Sequence, residues 1–97
     1  MDSNRKELLS NQLDALDRLF DGESGIVDIY ALTYATAVAL NGDALSPLFQ
    51  STADTLFAIG ERLLWNSLAR DDALAATNSL RIALAEELPH PLMQSGK

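Results

Sequence analysis

The chain has no cysteine, which rules out disulfide staples and thiolate metal sites and fits a reducing compartment. It has a single histidine, His90, set between Pro89 and Pro91. A general base or a zinc ligand needs placed partners, and with no second histidine His90 reads as a surface residue. No serine sits in a nucleophile elbow, and there is no Gly-rich phosphate loop. Bases are also scarce. Seven Lys and Arg face fourteen Asp and Glu, for a net charge of −7. Such a field repels nucleic acid and anionic membranes and attracts basic surfaces, although solubility alone also accounts for a charge of this size. The bases are spread along the chain with no basic helix face, so nucleic acid is not an expected partner.

Long hydrophobic runs are missing as well. Met1-Asp2-Ser3-Asn4-Arg5-Lys6 is not the apolar start of a signal peptide. The longest uncharged stretch, Ile29 to Gly42, is shorter than the ~20 residues a membrane-spanning helix needs. These features predict a cytoplasmic protein with no membrane partner. A domain of this length hides roughly two-thirds of its unfolded surface. The apolar content of 47% is ordinary for a globular domain.

Between the few glycine and proline breaks, apolar residues recur at helical spacing. Leu9, Leu13, Leu16 and Phe20 form one stripe with Leu8 and Leu19 on its flank. They predict a first helix over about 3–20, capped by Ser3 and stopped by Asp21 and a left-handed Gly22. A second helix, about 25–41, is apolar almost all round from Ile26 to Leu40. A helix without a polar face is expected to be buried on most sides, which places it at the centre of the molecule. Its β-branched residues allow a strand, but Ala31, Ala35, Ala37 and Ala39 favour helix.

Ser46-Pro47 opens a third helix, with serine as cap and proline at the first helical position. Phe49, Ala53, Leu56, Gly60, Leu63 and Leu64 stay in phase, which predicts one long helix over about 47–69. Gly60 costs about 1 kcal/mol against alanine in a helix interior. Close approach of a neighbouring helix explains it better than a hinge does. Asp71 caps a fourth helix, about 72–88, with Leu74, Ala76, Leu80, Ala83, Leu84 and Leu88 on its apolar side. Pro89-His90-Pro91 ends it. The prediction is an all-α, antiparallel four-helix bundle: one domain over 1–97, with a tail over 89–97.

The acids are unevenly placed. Asp14, Asp17, Asp21, Glu23 and Asp28 share their stretch with one base, Arg18. Asp14, Asp17 and Asp21 span about 60° of a helical wheel. Their spacing invites a metal reading, but a bundle metal site wants Glu-x-x-His pairs on facing helices, and Asp21-Gly22-Glu23-Ser24 is too short for a calcium loop. No metal and no cofactor are expected. The acids stand near the C-terminus of the first helix, where the dipole favours cations, while Arg5 and Lys6 occupy its first turn. Each such misplacement costs roughly 0.3–1 kcal/mol at a surface, and the neighbouring carboxylates repel one another. Local helix stability therefore does not explain them. Either Arg62, Arg70 and Arg81 reach them from other helices, or they await a basic surface on another protein. Asp28, Asp71 and Asp72 also suit the first turns of their own helices. Trp65 lies about 180° from Leu56 on the wheel. It is either an exposed contact residue or is covered by Pro91, Leu92 and Met93. Tyr30 and Tyr34 read as core residues whose hydroxyls reach the bundle edge.

The segment Leu19-Phe20-Asp21-Gly22-Glu23-Ser24-Gly25-Ile26-Val27-Asp28-Ile29-Tyr30 resembles the first interhelical turn of small helical bacterial immunity proteins. These include proteins similar to colicin D immunity and those of contact-dependent growth inhibition systems. The likeness covers that segment, and the rest of the chain matches in size, acidity and helicity. In that group a short acidic helix pair often carries the contact to a basic nuclease toxin. The resemblance thus implies that Asp14, Asp17, Asp21, Glu23 and Asp28 face such a toxin, with the chain as a monomer or in a 1:1 heterodimer. Composition leaves two other binders open: a non-catalytic helical subunit or adaptor of a larger assembly, and an acidic nucleic-acid mimic that inhibits a defence nuclease. No constellation of placed acid, base and nucleophile is visible, so the chain is not expected to be an enzyme.

Overall fold

A computed structural model of the chain describes residues 2–65 and 69–88. The expectations for positions 66–68 of the third helix, for His90 and its flanking prolines, and for a tail over Trp65 concern residues outside those described. Four helices follow in order: α1 (Asp2–Phe20), α2 (Ile26–Ala39), α3 (Ser46–Leu63) and α4 (Arg70–Glu87). Each packs on its chain neighbours, α1 closes the ring on α4, and the diagonal pairs barely meet. Long-range pairs fix the antiparallel order. Arg5 in α1 meets Glu87 in α4, Gln12 meets Thr33 in α2, and Ser46 at the start of α3 meets Ala37 near the end of α2. The four-helix bundle expected from the apolar spacing is the fold.

The core is built from Leu9, Leu16 and Leu19, Ile29, Phe49 and Leu56, and Leu80 and Leu84, all fully buried. The inward face of α1 is rotated from the predicted stripe. Gln12 and Ala15 point in, Leu13 is half-buried, and Phe20 is 57% exposed.

α2 is not central. A ring of four helices gives each member only two full neighbours, so an all-apolar helix keeps an outward side. α2 buries Ile26, Ile29, Thr33, Thr36 and Ala37. Two of these inward positions are threonines. Thr33 Oγ1 donates to the Ile29 carbonyl at 2.7 Å and accepts from Gln12 Nε2 at 2.9 Å, which makes it tolerable inside. Val27, Tyr34 and Val38, by contrast, are 48–58% exposed. Tyr34 is therefore not a core residue, while Tyr30 is half-buried.

The helix ends show what the spacing missed. α1 stops as predicted, with Gly22 at φ 81°. The Glu23 N–H donates to the Arg18 carbonyl (2.8 Å) and the Gly22 N–H to Leu19 (3.1 Å), the two bonds of a Schellman cap. α3 ends at Leu63, well before the predicted position 69. Leu64 and Trp65 both take positive φ, 60° and 56°, and the Trp65 N–H donates to the Gly60 carbonyl at 3.0 Å. This turn folds the indole back onto Gly60, where an added Cβ would overlap the ring. Gly60 is indeed a packing glycine, but its close neighbour is Trp65 from the end of its own helix.

The serine caps do not form as read. Ser46 is the first residue of α3 and donates its hydroxyl to the Ala37 carbonyl (3.0 Å), while Asp43 accepts the Leu45 N–H at 2.9 Å. Gly25 and Ala69 occupy the N-cap positions of α2 and α4, neither with a side-chain cap, and Asp71 lies inside the first turn of α4. Ser3 falls within α1.

Candidate functional site

All five acids of the predicted patch, Asp14, Asp17, Asp21, Glu23 and Asp28, are exposed. Three belong together. Asp14, Asp17 and Asp21 follow the outer side of α1, toward α4. Arg81 of α4 reaches across to Asp17, with Nε 3.5 Å from Oδ1, and lies over the Phe20 ring at 5.6 Å from its centre. Both charged partners are about half exposed, so the pair contributes at most a few tenths of a kcal/mol to about 1 kcal/mol. Leu13, Asp17, Arg81, Ile82 and Ala85 line a shallow groove of about 330 Å³ between the two helices. Phe20 and the exposed Ile82 border the acids with apolar surface. The edge thus combines negative charge with two accessible hydrophobic side chains.

Glu23 and Asp28 stand apart from this stripe. Glu23 lies in the α1–α2 turn, on a cleft of about 310 Å³ shared with Ser24, Trp65 and Arg70. Asp28 is in the first turn of α2. On the α1 wheel Arg18 stands on the α2 side of the acid stripe and separates the two groups.

Arg70, Arg62 and Arg5 are committed elsewhere. Arg70 does not meet an acid. Its guanidinium donates to the Leu19 carbonyl (Nε, 3.2 Å), which also accepts the Gly22 N–H, and to the Phe20 carbonyl at the end of α1. Arg70 of α4 thus adds a second cation at the end of α1, beside Arg18 in the last turn. Arg62 pairs with Asp72 at 2.8 Å. Arg5 bridges Asp43 and Glu87, which offsets its place at the positive end of α1. The hydrogen bond from Arg5 and that from the Leu45 N–H hold the Asp43 carboxyl below the ordinary aspartate range, and Asp43 in turn raises Arg5. The misplaced charges of α1 are therefore partly answered by tertiary contacts. Among the described residues, Asp17 alone of the five acids meets a base.

A second surface was not predicted. Tyr30 is the hub of an aromatic cluster, with ring centres 5.6 Å from Phe57, 5.5 Å from Trp65 and 6.2 Å from Tyr34. Phe57 and Trp65 meet edge-on at 6.0 Å. Trp65 is half-buried rather than free, so the wheel position that set it apart does not apply beyond the end of α3. Val27, Tyr34, Val38 and Phe57 are exposed along this side, and Leu64, next to Trp65 in sequence, is 77% exposed. The uniform hydrophobicity of α2 was the available signal. It points to an outward apolar face once the helix is known to have only two packed sides.

Among the described residues no group of His, Cys, Asp or Glu could hold a metal ion, and no helix is long and apolar enough to cross a membrane. No protein-family model, curated protein or solved structure matches the chain.

Proposed function

We propose that the chain is a binding protein whose acidic α1 edge docks on a basic protein surface, and that it acts as an immunity protein against a toxin, in particular a nuclease. The observation that carries this reading is the stripe Asp14, Asp17, Asp21. It is exposed beside Phe20 and Ile82 and met by a single arginine that is itself half exposed. Nucleases bind phosphates and so present basic clefts. An acidic edge entering such a cleft speeds encounter, blocks substrate and needs no chemistry of its own. Phe20 would supply desolvated contact area beside the charges, and Arg81 would exchange Asp17 for the partner's carboxylates or stay over Phe20. The resemblance of the α1–α2 turn to bacterial immunity proteins supports the same assignment, with Glu23 and Asp28 as flanking contacts.

The test is capture of the tagged protein's partner from cells of its source, eluted with a salt gradient. Elution of one basic protein at moderate salt supports the reading. The double reversal Asp17→Lys/Asp21→Lys should weaken that complex by at least about a hundredfold. Unchanged retention by the reversed protein would remove the α1 edge as the site. The exposed apolar side of α2 favours a second reading, a helical subunit or adaptor, which predicts a partner retained through high salt.

A further inference from the structure

We infer that the outer face of α2 and α3 is a second docking surface, separate from the acidic α1 edge, and that it accepts a basic amphipathic helix from a partner protein. Val27, Tyr34 and Val38 recur at helical spacing along α2, and Phe57 continues the surface on α3, with the ring of Tyr30 beneath. From Val27 to Val38 the stripe runs about 17 Å, the length of three turns of a docked helix. Leu, Val and aromatic side chains at i, i+3, i+4 and i+7 are what such a helix lays against an apolar face.

The charge around the face selects the partner. α2 contains no Lys or Arg. On α3, Asp54 and Glu61 bracket Phe57 at i−3 and i+4. The one base of α3, Arg62, is turned to Asp72. Asp54 is met by the neutral amide of Gln50 at 3.4 Å. The apolar stripe thus has an acidic rim on α3 and no cation of its own. A second copy of this chain would set Asp54 and Glu61 against their own kind and bring a net −7 against −7, which disfavours self-pairing. A helix with a leucine-rich face and lysine or arginine flanks matches both features.

Leu64 is left-handed at φ 60° and is the most exposed large apolar residue of those described. A non-glycine residue there costs about 1–2 kcal/mol, and the packing of the adjacent Trp65 indole on Gly60 and Tyr30 offsets it. The same turn leaves Leu64 exposed, next in sequence to the Trp65 indole of the cluster.

The test titrates a synthetic leucine–lysine peptide, with leucines at helical spacing, into the full chain. Emission of Trp65, the only tryptophan, reports binding at the face. A peptide of the same composition in shuffled order is the control. One peptide should bind per chain, about tenfold or more tighter than the shuffled one, with a shift in Trp65 emission. Leu64→Gly should raise thermal stability yet weaken peptide binding, a pair of changes that misfolding does not produce. Neutralising Asp54 and Glu61 (Asp54→Asn/Glu61→Gln) should weaken binding more than Asp17→Asn/Asp21→Asn does. Equal binding of the two peptides, equal loss from the two neutralised pairs, unchanged affinity in Leu64→Gly, or a stable dimer of the free chain in sedimentation would each overturn the proposal.

Discussion

Gln12 is wholly buried between α1 and α2, and only half of its amide is satisfied. Nε2 donates to Thr33, while Oε1 has no partner. A buried unpaired acceptor costs about 1–3 kcal/mol. Gln12→Met keeps the length and removes the orphan oxygen, and Thr33 retains its bond to the Ile29 carbonyl. The variant should gain about 1 kcal/mol in urea unfolding; a loss of similar size would mean the amide is fully served in solution. Gly60 predicts the reverse of the usual glycine rule. In an ordinary helix interior Gly→Ala gains about 1 kcal/mol. Here the new methyl displaces the Trp65 indole, so Gly60→Ala should lose about 1–2 kcal/mol and move Trp65 emission to the red. Asp43 sets a pH dependence. Its folded carboxyl titrates below the ordinary aspartate value, so its stabilisation is present above that value, near 3.9, and is lost as pH falls through the lower, folded one. Thermal unfolding from pH 6 to pH 2 should show this slope, and Arg5→Ala should flatten it.

At the scale of the helices, the local signals were legible and the tertiary ones were not. Gly22 announced the end of α1, and the apolar spacing placed all four helices. The end of α3 had no such mark. Leu63-Leu64-Trp65 contains neither glycine nor proline, and the helix stops because the indole gains more by lying on Gly60 and Tyr30 than by continuing outward. Nor did the sequence around α1 reveal its cap, because Arg70 arrives from α4 to take the Leu19 and Phe20 carbonyls. That contact also ties the α1–α2 turn to the rest of the ring. Arg70→Ala should cost about 1–2 kcal/mol and speed amide exchange in the last turn of α1, whereas exchange at the far end of the bundle should be unaffected. Uniform acceleration across all four helices would contradict a local capping role. The acid stripe itself was legible from spacing alone. Its division from Glu23 and Asp28, and the presence of Phe20 and Ile82 beside it, required knowing which way α1 turns in the ring.

For the whole molecule, the charge distribution matters more than the total. Four of the six bases described are used internally: Arg5 on Asp43 and Glu87, Arg62 on Asp72, Arg70 on backbone, and Arg81 loosely on Asp17, while Lys6 and Arg18 of α1 are exposed. The α1 edge keeps three exposed acids toward solvent, flanked by Arg18, and the opposite surface stays apolar with an acidic rim. Two such faces on one small ring of helices suit a protein that works by contact. The measurement that tests this most directly is a comparison of partners held by the wild-type chain and by Asp17→Lys/Asp21→Lys from the same cell extract. The account predicts that a basic protein is held by the wild type, released by salt and absent from the reversed variant. The same proteins held equally by both, with both chains folded, would contradict it.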